Sequence, residues 1–219
     1  MLFKMNVRPT LKEYINNPIE IKDNILYSPL LPKSIMDDQE DLIMKESANI
    51  ICQNKGDVLN VGFGLGIIDG YIRNLNPNTH TIIEIHPDVC KLAKEKGFGK
   101  TATLYEGDWR RWVSYFKCNK IKFDGIYFDT INIEDNANEW YYFIKEVDNI
   151  LKPGGIFSYF NHTAANNKFV GETIYNLLKE GYQYHLKLIL IEDIENFANK
   201  KINNDTLTYK NYELVWLTK

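Results

Sequence analysis

The chain has 219 residues, 44% hydrophobic and 25% charged, with 26 Lys and Arg against 29 Asp and Glu for a formal net charge of -3. That length accommodates one sizeable core, read as a single domain with an N-terminal extension, and leaves no comfortable room for a second catalytic domain. The slightly acidic balance excludes a general electrostatic pull on nucleic acid, which rests on basic patches, and the apolar runs fall far short of the roughly 20 residues needed to cross a bilayer.

Residues 1–35 carry Pro9, Pro18, Pro29 and Pro32 among scattered apolar positions and read as an irregular arm with at most short helices. Residues 37–54 contain good helix formers, with Leu42, Ile43, Ala48, Ile50 and Ile51 apolar. An alternating series follows: strand 58–61, helix 66–75, strand 81–85, helix 87–97, strand 102–105, a helical segment 109–116, strand 124–128, helix 138–151 and strand 155–160. The tail holds two further strand candidates, 187–191 and 212–217, separated by a polar excursion over 193–210. Strands alternating with helices predict an α/β fold: a mostly parallel sheet of about seven strands, helices on both faces, and an antiparallel C-terminal edge.

Ligands of such sheets sit outside the carboxyl ends of the strands. Five tips are therefore candidates: Gly62-Phe63-Gly64-Leu65-Gly66, Glu84-Ile85-His86, Gly107-Asp108-Trp109, Asp129-Thr130 and Asn161-His162-Thr163. The glycines permit a tight turn and close backbone approach to a ligand. Glu84 closes a second apolar run eighteen residues after Gly66, where a carboxylate accepts hydrogen bonds from both hydroxyls of an adenosine ribose. Asp108 and Trp109 suit the adenine ring, the indole by packing and the carboxylate by accepting from the exocyclic amine. Either S-adenosylmethionine or a dinucleotide satisfies these groups, and the missing later glycine of the dinucleotide fingerprint favours the former. Lys152-Pro153-Gly154-Gly155 reads as a helix stop with a tight entry to the next strand.

Asp129 ends the apolar strand and has two readings, a cap or turn former on one hand and a carboxylate facing the transferred methyl group on the other. Cys52, Cys90 and Cys118 are odd in number, far apart and without a CxxC pair, so they read as ordinary reduced thiols, with neither a disulfide framework nor a metal site. With no signal-peptide core at its N-terminus, the chain is expected to be cytoplasmic.

The runs Val58-Leu59-Asn60-Val61-Gly62-Phe63-Gly64, Ile82-Ile83-Glu84-Ile85-His86-Pro87-Asp88-Val89 and Phe123-Asp124-Gly125-Ile126-Tyr127-Phe128-Asp129-Thr130 closely resemble guanidinoacetate N-methyltransferase and its relative, the arginine delta-nitrogen methyltransferase. Leu151 to Asn161 carries the same likeness, which covers about residues 35–165. The resemblance implies a Rossmann-like class I methyltransferase domain over 37–219, with the arm 1–36 covering its active site. It further implies S-adenosylmethionine as cofactor, S-adenosylhomocysteine as product, and Asp129 as the acid that binds the guanidino group. A second acid falls on Glu40, twenty-two residues before Gly62, although Gln39 stands where the family has tryptophan and Asp37 or Asp38 are alternatives. Met36 and Met44 are implied near the cofactor, with ordinary core packing as the other reading, and Thr130, His162 and Thr163 near the substrate.

Two carboxylates suit a guanidinium because its flat fork of N–H donors pairs bidentately with them, and because neighbouring anions accept the proton released as the new N–C bond forms. The expectation is N-methylation of a small guanidino compound such as arginine or guanidinoacetate by a monomer or homodimer, with a protein arginine as the alternative acceptor. More remote are an NAD-dependent oxidoreductase on the same glycine turn and a non-catalytic protein that only senses S-adenosylmethionine.

Overall fold

Thr10 opens the first element through a reciprocal cap. Its hydroxyl accepts from the Glu13 N–H while the Glu13 carboxylate accepts from the Thr10 N–H, which fixes the short helix α1 (Leu11–Asn16). In this computed structural model the described residues are 9–31, 34–131, 139–161, 168–190 and 211–219. A hairpin follows, β1 (Glu20–Lys22) against β2 (Ile25–Tyr27), whose turn residues Asp23 and Asn24 adopt φ values of 50° and 58°. Asp and Asn tolerate that left-handed conformation, and a two-residue hairpin turn needs it. The expectation of an arm with at most short helices is corrected here: strands of three residues are too short for alternation to register in the sequence.

The main body runs through a 3-10 turn (Asp38–Glu40), α2 (Asp41–Ile51), β3 (Asp57–Val61), α3 (Ile67–Leu75), β4 (Thr79–Glu84), α4 (Pro87–Glu95), α5 (Phe98–Thr101), β5 (Thr103–Glu106), α6 (Trp109–Cys118), β6 (Phe123–Phe128), α7 (Glu139–Ile150), β7 (Leu151–Tyr159), α8 (Lys168–Lys179), β8 (Gln183–Leu190) and β9 (Asn211–Thr218). Seven strands form one sheet in the order β5-β4-β3-β6-β7-β9-β8. The five from β5 to β7 are parallel, while β9 runs antiparallel to both β7 and β8. This is the α/β, Rossmann-like class I architecture read from the sequence, antiparallel edge included.

Side-chain alternation along the strands builds two cores, one per face. Val58, Ile82, Tyr127, Ile156 and Leu214 pack with α2, α3, α4 and α5 through Ile43, Met44, Ile51, Ile68, Val89 and Phe98. Leu59, Val61, Ile83, Ile126, Phe128 and Phe157 pack with α6, α7 and α8 through Val113, Phe116, Phe143, Val147 and Leu177. The chain leaves β3 toward β4 and β5 on one side and returns to β6 and β7 on the other, so the carboxyl ends of β3 and β6 flank the crevice where an α/β sheet binds ligands.

Two local readings change. Lys152 to Gly155 lies inside β7, where the pairing jumps from Phe123↔Leu151 to Gly125↔Ile156, so the expected turn is an irregularity within one strand. Lys152 anchors it by bridging Asp57 at 2.6 Å and Asp124 at 2.7 Å. The helix α8 has no counterpart in the sequence reading, and β8 starts at Gln183, ahead of the expected 187. Burial pushes the Cys52 and Cys90 thiols up to about 12, which keeps both in the inert thiol form.

Candidate active site

The strand β3 ends in a glycine turn shaped by three positive φ angles, 96° at Gly62, 54° at Gly64 and 75° at Gly66. At Gly62 the geometry admits no side chain, because a Cβ would lie 1.8 Å from the Asp129 carbonyl oxygen. At Gly64 a Cβ would meet the Met36 sulfur at 2.5 Å. Gly66 instead faces inward, toward the Phe63 ring, and starts α3. Beneath the turn, Asn60 donates to the Gly62 carbonyl and to Asp69, each at 2.9 Å, and Asp69 meets His80 at 2.9 Å. Burial raises the Asp69 carboxyl, with His80 and Asn60 opposing the rise. This buried polar strut ties the turn to the first part of α3 and to β4.

A cavity of about 400 Å³ opens at the switch point. Val61, Gly62, Phe63 and Gly64 form its floor with Glu84 and Ile85 beside them. Gly107, Asp108, Trp109 and Arg110 form a second wall, Tyr127, Asp129 and Thr130 a third, and Met36 and Met44 a fourth. The volume falls at the lower end of the range for small-molecule sites. Leu11, Tyr14, Leu26, Ser34 and Ile35 of the arm complete the enclosure. No sequence signal singled out these arm residues.

Glu84 sits where the strand β4 ends, buried, with its carboxylate accepting from the Phe63 N–H at 2.8 Å, the Ile85 N–H at 2.7 Å and the His86 N–H at 2.8 Å. Burial raises its carboxyl, and these three backbone donors oppose the shift. A carboxylate has about four acceptor sites, so three amides leave capacity for a hydroxyl from the cavity. Met36 offers its sulfur to the Leu65 N–H at 3.2 Å, which seats the arm on the glycine turn.

Asp108 caps α6 through the Arg110 N–H at 2.8 Å, so its turn-forming role and its place in the cavity wall coexist. Trp109 is held by edge contacts to Phe128 at 6.0 Å and Phe143 at 5.2 Å, with the Arg110 guanidinium over its ring. His86 is elsewhere. Its ring lies against the carbonyls of Tyr14 at 3.1 Å and Asn17 at 2.9 Å, outside the cavity wall, where it anchors the arm. The backbone N–H of His86 contributes by holding Glu84.

Asp129 follows β6, and its N–H still donates to the Val61 carbonyl at 2.9 Å, which holds it in line with the sheet. Glu40 is the residue before α2 and makes no side-chain cap to that helix. Its carboxyl is raised well above the ordinary value by burial, then by repulsion from Asp129 and from Asp37. The two acids expected from the sequence thus share one electrostatic environment, although Glu40 is not part of the cavity wall itself. Asp37 belongs to the same group, whereas Asp38 is exposed and accepts from Asn24 at 3.4 Å.

Two tyrosines join them. Burial, and then Asp129 and Glu40 among its neighbours, raise the hydroxyl of Tyr212, which accepts from the Asn161 N–H at 2.6 Å. Tyr127 is fully buried, and its hydroxyl lies beside that of Ser47 without a partner of full hydrogen-bond geometry among the described residues. Tyr127 went unnoticed in the sequence, yet it stands two residues before Asp129 and so shares its face of the strand. His162 and Thr163 lie outside the described residues. Among the described residues no cluster of His, Cys, Asp or Glu could hold a metal ion, and no helix is long and apolar enough to cross a membrane.

The sequence profile described as Guanidinoacetate N-methyltransferase matches residues 15–212. The chain is 35% identical over 157 residues to a protein of Yarrowia lipolytica named Protein arginine N-methyltransferase 2, covering 68% of this chain and 33% of that one. Its counterpart of the same name from Candida glabrata is 33% identical over 160 residues, covering 70% and 38%. The chain therefore spans well under half the length of either. Among solved structures, a putative SAM-dependent methyltransferase from Streptococcus mutans superimposes with a TM-score of 0.61 at 15% identity, over 93% of this chain and 55% of that one.

Proposed function

The chain belongs to the guanidinoacetate N-methyltransferase family, and from that premise we propose that it uses S-adenosylmethionine to methylate a nitrogen of a guanidino group, with Asp129 and Glu40 receiving the flat cation. The observation that carries this reading is the meeting of two acids from separate elements beside the cavity, with the Glu40 carboxyl raised by burial and then by the charge of Asp129.

The cavity fits the cofactor chemically. Glu84 retains acceptor capacity for ribose hydroxyls, Trp109 and Asp108 would hold the adenine, and the glycine turn with Met36 and Met44 would flank the remainder. When bound, S-adenosylmethionine supplies an electrophilic methyl group. A guanidinium is a poor nucleophile because its pKa exceeds 12 and its lone pairs are delocalised. Asp129 and Glu40 counter this by pairing with the N–H edges, orienting one nitrogen and compensating its charge. Asp129 then accepts the proton that the alkylated nitrogen sheds.

Two acceptor classes are open to this machinery. The names of the relatives point to arginine in a protein, whereas enclosure of the cavity by the arm favours a small guanidino compound. We propose the guanidino group of arginine as the common target. Methyl-labelled cofactor offered with free arginine, guanidinoacetate and cell-extract protein decides the presentation, and absence of label from every guanidino acceptor would refute the function.

A pH dependence follows from Glu40. Because its folded pKa is raised, the empty protein is stabilised below the unfolded value near 4.5 and loses that contribution as pH rises through the folded value. A guanidinium between the acids favours the ionised form and drives the proton off. Acceptor affinity should therefore increase with pH across that window, and binding should release a proton. Calorimetry in two buffers of different ionisation enthalpy measures the release, which Glu40→Gln should abolish. Identical heats in both buffers would contradict the assignment.

A further inference from the structure

Tyr127 is fully buried at 0% exposure in β6, packed in the core against α2, and yet lines the cavity. A buried hydroxyl normally has a partner, because leaving it unpaired forfeits the hydrogen bonds it made to water. Among the described residues the Ser47 hydroxyl lies close enough to act on that of Tyr127, and neither has a partner of full hydrogen-bond geometry. Phenylalanine would fill the same volume without that penalty. The hydroxyl therefore keeps acceptor capacity that a group entering the cavity can take up.

The surroundings define the chemistry of that entrant. Tyr127 and Asp129 are two residues apart and share one face of the strand, with Asp129 held in register by its bond to Val61. The charges of Asp129 and Glu40 both act on the Tyr127 hydroxyl. A neutral oxygen flanked by two anions accepts an N–H from a cation bound between them. We infer that Tyr127 is a specificity residue for the acceptor, its hydroxyl oxygen accepting an N–H of the guanidino group that Asp129 and Glu40 hold. This rests on the proposed function and adds a third contact to the two acids. A planar guanidinium has five N–H donors in fixed directions and can satisfy three acceptors at once, whereas a neutral amide has fewer donors and no charge to draw it between the acids.

The test is Tyr127→Phe in the full chain, compared with wild type for S-adenosylhomocysteine affinity, melting temperature and steady-state methyl transfer to arginine. The expected result is unchanged cofactor affinity, a melting temperature equal to or above wild type, and a fall of about tenfold or more in kcat/KM for the acceptor. An acceptor kcat/KM within twofold of wild type would overturn the inference and leave the function standing. A clearly lowered melting temperature would also overturn it, by showing that the hydroxyl already has a structural partner. Wild-type protein that methylates no guanidino compound, free or in protein, would remove the function and this inference together.

Discussion

Asp129→Asn is expected to lower methyl transfer by about a hundredfold or more while leaving the fold intact, within the range measured for loss of a proton acceptor. The substitution preserves shape. The backbone N–H of residue 129 keeps its bond to Val61, and the carbonyl that abuts Gly62 is unchanged. What disappears is a negative charge, and one carboxylate oxygen becomes an NH2 that points donors at a group made of donors. Glu40 reports on the same change, since the repulsion that helps to raise its carboxyl is removed and its pKa should move back toward the ordinary value. The measurement is single-turnover transfer at saturating cofactor, with S-adenosylhomocysteine affinity as the control for folding. Transfer within a few fold of wild type would take the catalytic role away from Asp129.

Gly62→Ala should lose about 3 kcal/mol or more of stability, which is roughly 6–12 °C in melting temperature for a chain of this size, and should abolish cofactor binding. Two causes combine. Residue 62 has φ at 96°, a conformation that costs any L side chain, and the added Cβ would lie 1.8 Å from the Asp129 carbonyl oxygen and 2.9 Å from its carbon. The obstructing atoms are backbone, held by the bond from the Asp129 N–H to Val61, so neither can rotate aside. Relief requires β3 and β6 to part at the crevice, and the glycine floor and Asp129 part with them. Gly70 in α3 provides the contrast: a Cβ there meets nothing within 4 Å, so Gly70→Ala should be neutral or stabilising. Thermal melts of both variants make the comparison. A Gly62→Ala protein that melts with the wild type would show that the strands do not approach as described.

Patterns that act over a few residues determined much of this protein before any contact was known. Alternating apolar strands and helices specified the parallel sheet, because each strand must bury both faces and each crossover must cover one. The strand-end positions of Gly62, Glu84, Asp108 and Asp129 followed from the same pattern, since ligands of such sheets gather at the carboxyl ends. Only the tertiary structure decided the rest, and for physical reasons. His86 stands in a strand tip, and packing places its ring on the carbonyls of Tyr14 and Asn17 at the end of α1. The three-residue strands of the arm are too brief to show a period, and their place over the cavity depends on contacts such as the Met36 sulfur with Leu65. That Glu40 shares the field of Asp129, and that the Tyr127 hydroxyl lies within reach of both charges, arises where α2 packs on β6, between residues more than eighty positions apart. Electrostatic coupling depends on distance through space, which a linear pattern of residue types does not contain.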